Sequence, residues 1–144
     1  ELPNTQEFKT FNAKLKQYRK LPEEIYQLIH LIKNGHPMDV LRSCVSSLSS
    51  MENNTSLDDK EDFKEIGIKL ISQIPMIIAA HQRLRNNQKI VKPDTTLNHA
   101  ENWLLMLKGE MPSENASKLG VDFEGAKSWI LPELSCRFPK TTFP

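Results

Sequence analysis

The sequence contains few cysteines and few glycines, and neither residue type forms a functional pattern. Two cysteines, Cys44 and Cys136, cannot build the disulfide framework of a small secreted domain. No two of the four histidines have the i, i+4 spacing of a helical metal pair, and no cysteine is close enough to complete a zinc site. The five glycines form neither a phosphate-binding loop nor a nucleophile elbow. The sequence therefore argues against a structural zinc domain, a P-loop nucleotidase and an α/β-hydrolase.

The sequence also lacks an excess of one charge sign and a long hydrophobic run. The 19 basic residues nearly balance the 18 acidic residues, which gives no reason to expect nucleic acid as a partner. The longest apolar run, residues 74–80, is interrupted by Pro75 and is far too short to span a bilayer, so no membrane partner is expected. No secretory signal is recognisable, and we therefore expect a protein of the reducing cytoplasm in which Cys44 is a buried apolar side chain.

Apolar residues recur at helical spacing along most of the chain, and no segment shows the alternation of a strand. Asn4 and Glu7 form a capping-box pattern that predicts the start of the first helix. Pro22 is expected in the first turn of the second helix, and Gly35 is expected as its left-handed stop. The sequence therefore predicts an all-α chain, an antiparallel helical array of about five main helices.

The longest predicted helix covers residues 60–85, and Pro75 in its interior should kink it. Its apolar residues extend beyond one stripe, so we expect other elements to cover it from more than one side. The main stripe contains Phe63, Ile66, Leu70, Ile71, Ile74, Ile77, Ile78 and Leu84. A further helix should begin at Thr95 or Thr96 and end at Gly109.

The stretch "GHPMDVLR", residues 35–42, allows two interpretations. His36 and Asp39 could be a catalytic pair, or the stretch could simply begin a helix. In the second interpretation His36 is the N-cap, Pro37 is the first helical residue and Asp39 lies in the first turn. We favour the helix start, because every residue then has a structural role. The helix over residues 37–50 carries serines at which another helix could approach closely: Ser43, Ser46, Ser47, Ser49 and Ser50.

The other titratable residues give no converging catalytic set. His30 and His81 are each predicted to be solvated or satisfied by structural hydrogen bonds, and not to be catalytic. Asp39 with Arg42, and Glu61 with Glu65, lie three or four residues apart on helices and are expected to be surface electrostatics. Glu101 and Lys108 are likewise expected on a solvated helical face. The residues alone therefore predict no catalytic, substrate-binding or metal site.

Four quoted segments identify the chain as a member of a known family by resemblance. They are "ELPNTQEFKTFNAKLKQYRKLPEEIYQLI", "HPMDVLRSCVSSL", "LISQIPMIIAAHQRLR" and "PDTTLNHAENWLLMLKGEMPSE". Their order and spacing resemble the citrate synthases, in particular the bacterial citrate and 2-methylcitrate synthase branch. The similar region is residues 1–114, and residues 115–144 form a divergent tail of uncertain structure.

The resemblance implies a partial large helical domain from an enzyme that condenses acetyl-CoA with oxaloacetate. It implies that the helices over residues 37–50 and 60–85 belong to the subunit interface of a homodimer. The family's catalytic histidines and aspartate lie downstream of the motif at Met106 to Ser113, and neither His36 nor His99 matches one of them. No cofactor is implied beyond the family substrates, and the choice between acetyl-CoA and propionyl-CoA stays open.

Three hypotheses follow for the 144-residue chain. It is a truncated, frame-shifted or deliberately cut piece of a citrate synthase that supplies interface helices and is inactive alone. Alternatively, it is a non-catalytic helical interaction module that self-associates or binds full-length citrate synthase. The third hypothesis is an unrelated catalyst that uses the tail or His81.

Overall fold

The structure, a computed structural model, describes residues 4–51 and 60–110, and within those ranges it contains five α-helices and no strand. The helices are α1 (Thr5–Gln17), α2 (Glu23–Leu31), α3 (Pro37–Met51), α4 (Lys60–Arg85) and α5 (His99–Lys108). The all-α prediction with about five main helices is confirmed. Contacts divide the chain into one unit over Glu1–Met111 and another over Pro112–Pro144. The predicted tail lies outside the described residues.

The capping box predicted for α1 is present. The backbone N–H of Glu7 donates to Asn4 Oδ1 at 2.9 Å, and the backbone N–H of Asn4 donates to Glu7 Oε2 at 2.8 Å. Two of the four N–H groups that a helix start leaves without an internal partner are commonly satisfied in this way. Only Leu15 of α1 is a buried apolar residue, whereas Phe8 and Phe11 are exposed. The helix therefore packs through its C-terminal part.

The two ends of α2 correct two predictions. Pro22 precedes the first helical residue of α2 as its N-cap and does not lie in the first turn. Gly35 is not left-handed, because the only glycine with positive φ among the described residues is Gly109. A Cβ on Gly35 would lie 3.0 Å from the carbonyl oxygen of Ile32 and 3.3 Å from Cγ2 of Val40. The glycine is needed for this close approach and not for its φ angle.

The main apolar cluster forms where α2, α3 and α4 meet. Its buried members are Ile25, Ile29, Val40, Cys44, Leu48, Ile77 and Ala80. Full burial of one large aliphatic side chain contributes about 1.5–3 kcal/mol to stability. Cys44 is fully buried, as predicted, and burial raises the pKa of its thiol, which makes it unreactive.

Helix α4 lies at the centre, because it packs against each of the other four helices. The prediction that it is covered from more than one side is confirmed, but the predicted stripe is wrong at Phe63, Ile71 and Ile78, which are exposed. Ser72 and Gln73 are buried instead. The Ser72 hydroxyl donates to the carbonyl oxygen of Leu15 at 2.7 Å, and the Gln73 amide donates to the carbonyl oxygen of residue 20 at 3.0 Å. The end of α1 offers carbonyl groups that only polar side chains can satisfy.

Pro75 lies inside α4, which is assigned as one helix from Lys60 to Arg85. The kink at this proline stays a prediction. No helix among the described residues is long and apolar enough to cross a membrane.

Helix α5 is capped by Asn98, and neither Thr95 nor Thr96 is its cap. The Asn98 side chain accepts from the N–H of Glu101 at 2.9 Å, and the Glu101 carboxylate accepts from the N–H of Asn98 at 3.0 Å. Thr96 donates through its N–H and its hydroxyl to Asp94 Oδ1 in the preceding turn. The prediction failed because both threonine and asparagine are good caps, and the threonine is used in the turn.

The end of α5 at Gly109 is confirmed, since this residue has a φ of 82°. The Arg83 guanidinium covers this end of the helix and donates to the carbonyl oxygen of Leu107 at 3.0 Å. A Cβ on Gly109 would lie 2.9 Å from Arg83 Nη1. Glycine is therefore favoured at this position by the left-handed backbone, and a larger residue would also displace the end of the arginine side chain.

Candidate functional site

The outer face of α4 is apolar and exposed. It consists of Phe63, Gly67, Ile71 and Ile78, which recur at spacings of four, four and seven residues and therefore share one side of the helix. Phe63 is 55% exposed, Ile71 is 48% exposed and Ile78 is 40% exposed. Apart from the backbone of α4 itself, no atom of the described residues lies within 4 Å of the position of a Cβ on Gly67. Packing among residues 4–51 and 60–110 therefore does not explain the glycine or the exposed isoleucines.

The adjacent helix α3 is buried on one side and carries small polar residues on the other. Val40, Cys44 and Leu48 point into the core. Most of its serines are exposed, and Ser47 is half-buried. The exposed serines are Ser43, Ser46, Ser49 and Ser50. Small side chains on an exposed helix face permit close approach of another helix.

The "GHPMDVLR" stretch begins α3, as the favoured interpretation predicted. His36 Nδ1 accepts from the backbone N–H of Met38 at 3.2 Å, and the His36 carbonyl accepts from the N–H groups of Asp39 and Val40. The Asp39 carboxylate pairs with Arg42 at 3.7 Å on the surface. His36 is thus a helix cap, and Asp39 interacts along its own helix.

The other three histidines lie in different places. His30 is exposed on α2. His81 is buried on α4, and its Nε2 atom is 2.9 Å from the carbonyl oxygen of Lys33, which links α4 to the turn after α2. His99 is partly buried at the start of α5, where its Nδ1 atom has no hydrogen-bond partner. The predicted structural role is confirmed for His81, whereas His99 lacks a partner for a buried nitrogen.

The predicted pair Glu61 and Glu65 is not a simple surface pair. Nothing is described of the Glu61 side chain. The Glu65 carboxylate accepts from Lys14 Nζ at 2.5 Å and from the Tyr18 hydroxyl, which joins α4 to α1. The hydrogen bonds from Lys14 and Tyr18 lower the pKa of Glu65.

Glu101 and Lys108, which were both predicted on a solvated helical face, have two separate roles. The Glu101 carboxylate belongs to the cap of α5, and Lys108 is exposed in the last turn of the same helix. Both positions complement the dipole of a helix, which favours acids in the first turn and bases in the last.

Arg19 is a buried charged residue whose burial the sequence did not reveal. Its side chain is only 4% exposed, and its Nη1 atom donates to the carbonyl oxygens of Asp94 at 2.8 Å and Leu97 at 2.7 Å. Asn102 of α5 is also buried, and its Oδ1 atom accepts from the N–H of Asp94 at 2.7 Å. These contacts hold the segment before α5 against α1. The sequence offered no signal beyond an arginine at the end of an amphipathic helix.

The arrangement of titratable groups in residues 4–51 and 60–110 does not suggest a metal centre. Within those residues, no group of three or more histidine, cysteine, aspartate or glutamate side chains could hold a metal ion. The chemistry of the described residues is dominated by helix caps and by links between helices. Their most conspicuous surface feature is the outer face of α4 beside α3.

Comparisons with known proteins show which family this helical chain belongs to. The sequence profile described as "Citrate synthase, C-terminal domain" matches residues 1–121. The chain belongs to the citrate synthase family. This membership confirms the resemblance and contradicts the hypothesis of a catalyst unrelated to the family.

Individual relatives agree with this family. The 2-methylcitrate synthase 2 of Corynebacterium glutamicum is 36% identical over 132 residues, which cover 91% of this chain and 34% of the relative. The citrate synthase of Deinococcus radiodurans is 35% identical over 120 residues, which cover 83% of this chain and 32% of the relative. The chain therefore spans about a third of the length of these citrate synthase relatives.

A solved structure supports the same fold. The crystal structure of citrate synthase from Pyrobaculum aerophilum matches with a TM-score of 0.73 and 27% identity, covering 82% of this chain and 32% of that one. The five described helices are thus arranged as in part of a citrate synthase.

Proposed function

We propose that this chain is a partial citrate synthase that supplies subunit-interface helices and does not carry the catalytic residues. The whole enzyme would condense acetyl-CoA, or propionyl-CoA, with oxaloacetate in the cytoplasm. In this segment α3 and α4 would pair with the same helices of a second copy. The observation that carries the proposal is the exposed apolar outer face of α4 in a chain of this family.

The described titratable residues support the non-catalytic part of the proposal. The imidazole nitrogens of His36 and His81 are engaged by a backbone N–H and a backbone carbonyl, and the carboxylate of Glu65 is engaged by Lys14 and Tyr18. General acid–base catalysis needs such groups to converge on a substrate. Here they stabilise helix ends and helix contacts.

Gly67 supports the interface part of the proposal. Glycine inside a helix costs about 0.5–1 kcal/mol relative to alanine. In the part of the chain that the structure describes, no atom outside the backbone of α4 lies within 4 Å of the position where its Cβ would be. Its place in the outer face of α4, four residues from both Phe63 and Ile71, is where a second helix could approach the backbone closely.

Sedimentation of single and double variants tests the interface. Ile71→Lys and Ile78→Lys, alone and together, should shift the chain from dimer to monomer, because each places a charge in a contact that excludes water. Leu31→Lys is the matched control, since Leu31 is 80% exposed on α2. A parent chain that stays monomeric over the full accessible concentration range would contradict the interface assignment.

Gly67→Ala should have opposite effects on the stability of the monomer and on the strength of the dimer. The free energy of unfolding of the monomer should rise by about 0.5–1 kcal/mol, because alanine is the better helix former. The dimer should weaken, because the methyl group separates the crossing helices. Stronger association of the Gly67→Ala chain would contradict a close helix crossing at this residue.

A citrate synthase assay tests the catalytic part independently. The isolated chain should release no CoA from acetyl-CoA or propionyl-CoA in the presence of oxaloacetate. Measurable turnover that co-purifies with the chain would contradict the proposal. A full-length citrate synthase of the family, assayed in parallel, is the positive control.

The exposed face also favours a second function, a non-catalytic interaction module. The outer face of α4 could engage subunits of full-length citrate synthase in place of a second copy. Mixing the two proteins and measuring the masses of the complexes tests this alternative. Mixed species that Ile71→Lys abolishes support it, whereas separate sedimentation of the two proteins contradicts it.

A further inference from the structure

The contact between the C-terminal end of α1 and residues 94–103, here called the α1–α5 junction, contains all the unsatisfied buried nitrogens of the described chain. Among residues 4–51 and 60–110, three buried side-chain nitrogens have no hydrogen-bond partner. They are Arg19 Nε, His99 Nδ1 and Trp103 Nε1. Trp103 lies one turn after His99 on α5, so the two side chains share one face of that helix. A buried polar atom without a partner is costly, which makes this junction the most weakly satisfied contact in the described fold.

His99 has an unfavourable position for a positive charge. It is the first residue of α5, where the aligned peptide dipoles place about half a positive charge. It follows Leu97 by two residues, and the carbonyl of Leu97 accepts from the buried guanidinium of Arg19. Arg19 is therefore close enough to repel a proton on the imidazole. Burial and the charge of Arg19 both lower the pKa of His99, with burial the larger cause.

The remaining charged groups at the junction are already engaged. From α1, Lys16 Nζ donates to the carbonyl oxygen of Thr96 at 3.0 Å. From the segment before α5, the Asp94 carboxylate accepts twice from Thr96, and from α5 the Glu101 carboxylate accepts from the N–H of Asn98.

From α4, Arg83 reaches the carbonyl oxygen of Leu107 at the opposite end of α5. Among the described residues, no carboxylate is hydrogen-bonded to the His99 ring, whose buried nitrogen has no partner. A proton on this imidazole therefore gains no direct counter-charge at the junction.

We propose that His99 is an acid-sensitive switch that loosens the α1–α5 junction when its imidazole is protonated. Protonation places a second cation beside the buried guanidinium and at the positive end of α5. The contacts of Arg19 with residues 94 and 97 are the ones that this repulsion strains. Acid thus loosens the attachment of α5 to α1 while the apolar cluster of α2, α3 and α4 stays packed.

The direction of the effect follows from the pKa of His99. Its value in the folded chain is below the unfolded value of about 6.5. The unfolded chain therefore binds more protons between the two values, and stability rises with pH there. The contribution of the neutral His99 ring to the free energy of unfolding is fully present above the pKa that this ring has in the unfolded chain. It is lost as the pH falls through the pKa that the ring has in the folded chain.

Tryptophan fluorescence of the full chain tests the switch. The chain has two tryptophans, Trp103 and Trp129, so Trp129→Phe leaves Trp103 as the only reporter at the junction. Between about pH 7.5 and about pH 5, the Trp103 emission should shift to the red, and the midpoint of urea unfolding should fall. His99→Gln in the same background should remove the pH dependence of both readouts, because glutamine cannot be protonated in this range. His30→Gln, an exposed histidine changed in the same way, should leave the pH dependence intact.

Equal acid profiles for the parent and His99→Gln would overturn the proposal, and so would loss of the profile in His30→Gln. Should His99→Gln fail to fold, an NMR titration of the four histidine rings of the parent chain decides the question. A His99 ring that titrates at lower pH than His30, together with faster hydrogen exchange in α5 than in α2 as the pH falls, supports the switch. A His99 ring that titrates with His30 overturns it. The measurements are made at two protein concentrations, and equal midpoints at both separate the outcome from the proposed dimer.

Discussion

Helix α4 is held by two contacts of different chemical character. On one side, α2 and α3 meet it through apolar residues such as Ile29, Cys44 and Ile77, all of which are almost fully buried. On the other side, α1 meets it partly through polar groups, among them Ser72 and Gln73, and α5 meets it partly through a smaller apolar cluster that contains Met76, Ala79 and Met106. The apolar contact needs only shape and volume, whereas each polar contact needs a particular partner at hydrogen-bonding distance.

This difference explains which contacts tolerate a change of pH or of side chain and which contacts respond to it. An apolar contact does not change with pH, and small changes of side chain are absorbed by repacking. The α1–α5 junction depends on a buried arginine bonded to two carbonyl groups, and its neighbour His99 can gain a charge. Function that requires controlled movement is therefore expected at the polar junction, and permanent association is expected at the apolar surfaces.

The largest effect is expected from truncation in the apolar contact. Ile77→Ala should lower the free energy of unfolding by about 2–5 kcal/mol, because it removes a side chain that is 1% exposed and leaves a cavity. Leu31→Ala is the control, since this leucine is mostly exposed, and its effect should stay within about 0.5 kcal/mol. Urea unfolding followed by circular dichroism measures both. Equal losses for the two variants would contradict the assigned core.

A smaller effect is expected at the polar junction. Arg19→Met keeps most of the side-chain volume but leaves the carbonyl oxygens of residues 94 and 97 without their donor. The free energy of unfolding should fall by about 1.5–3 kcal/mol, the usual range for hydrogen bonds to a charged group. Hydrogen exchange should locate the loss in α5 and the segment before it. Arg42→Met on the surface of α3 is the matched control, and an equal loss there would contradict the role of Arg19.

The smallest effect is expected at the exposed link between α1 and α4. The pKa of Glu65 in the folded chain lies below its ordinary value. The ionised carboxylate therefore contributes to the free energy of unfolding above the pKa that Glu65 has in the unfolded chain, and this contribution is lost as the pH falls through the pKa in the folded chain. Glu65→Gln should therefore flatten the decrease in stability between about pH 5 and about pH 3, below the histidine range. Urea midpoints measured across that range check it, with Glu24→Gln on α2 as the control. An unchanged acid profile for Glu65→Gln would show that Lys14 and Tyr18 do not stabilise the carboxylate.

Local chemistry made several elements predictable from the sequence. The capping box at Asn4, the stop at Gly109 and the bounds of α4 are as predicted. Each of these depends on residues within a turn or two of one another. The cap of α5 was predicted at the wrong residue, although asparagine is the stronger cap and Glu101 completes a capping box with Asn98; Thr96 bonds to Asp94 instead.

The contacts between helices were less predictable. Ile71 and Ile78 were expected in the buried stripe of α4 but are exposed, whereas Ser72 is buried. Helical periodicity shows which apolar residues share a face, but it does not show which face the rest of the chain covers. The same limit applies to Arg19, whose partners lie more than 70 residues away in the sequence.

The sequence by itself determined the class of the protein, the number of helices and most of their ends, because these depend on short-range hydrogen bonding and on the spacing of apolar residues. The tertiary structure decided which face of α4 is buried and which is exposed. It also decided that Arg19 binds the segment that ends just before His99, since this contact depends on how α1 and α5 pack. Long-range packing is set by the whole fold, and no single segment of the sequence encodes it.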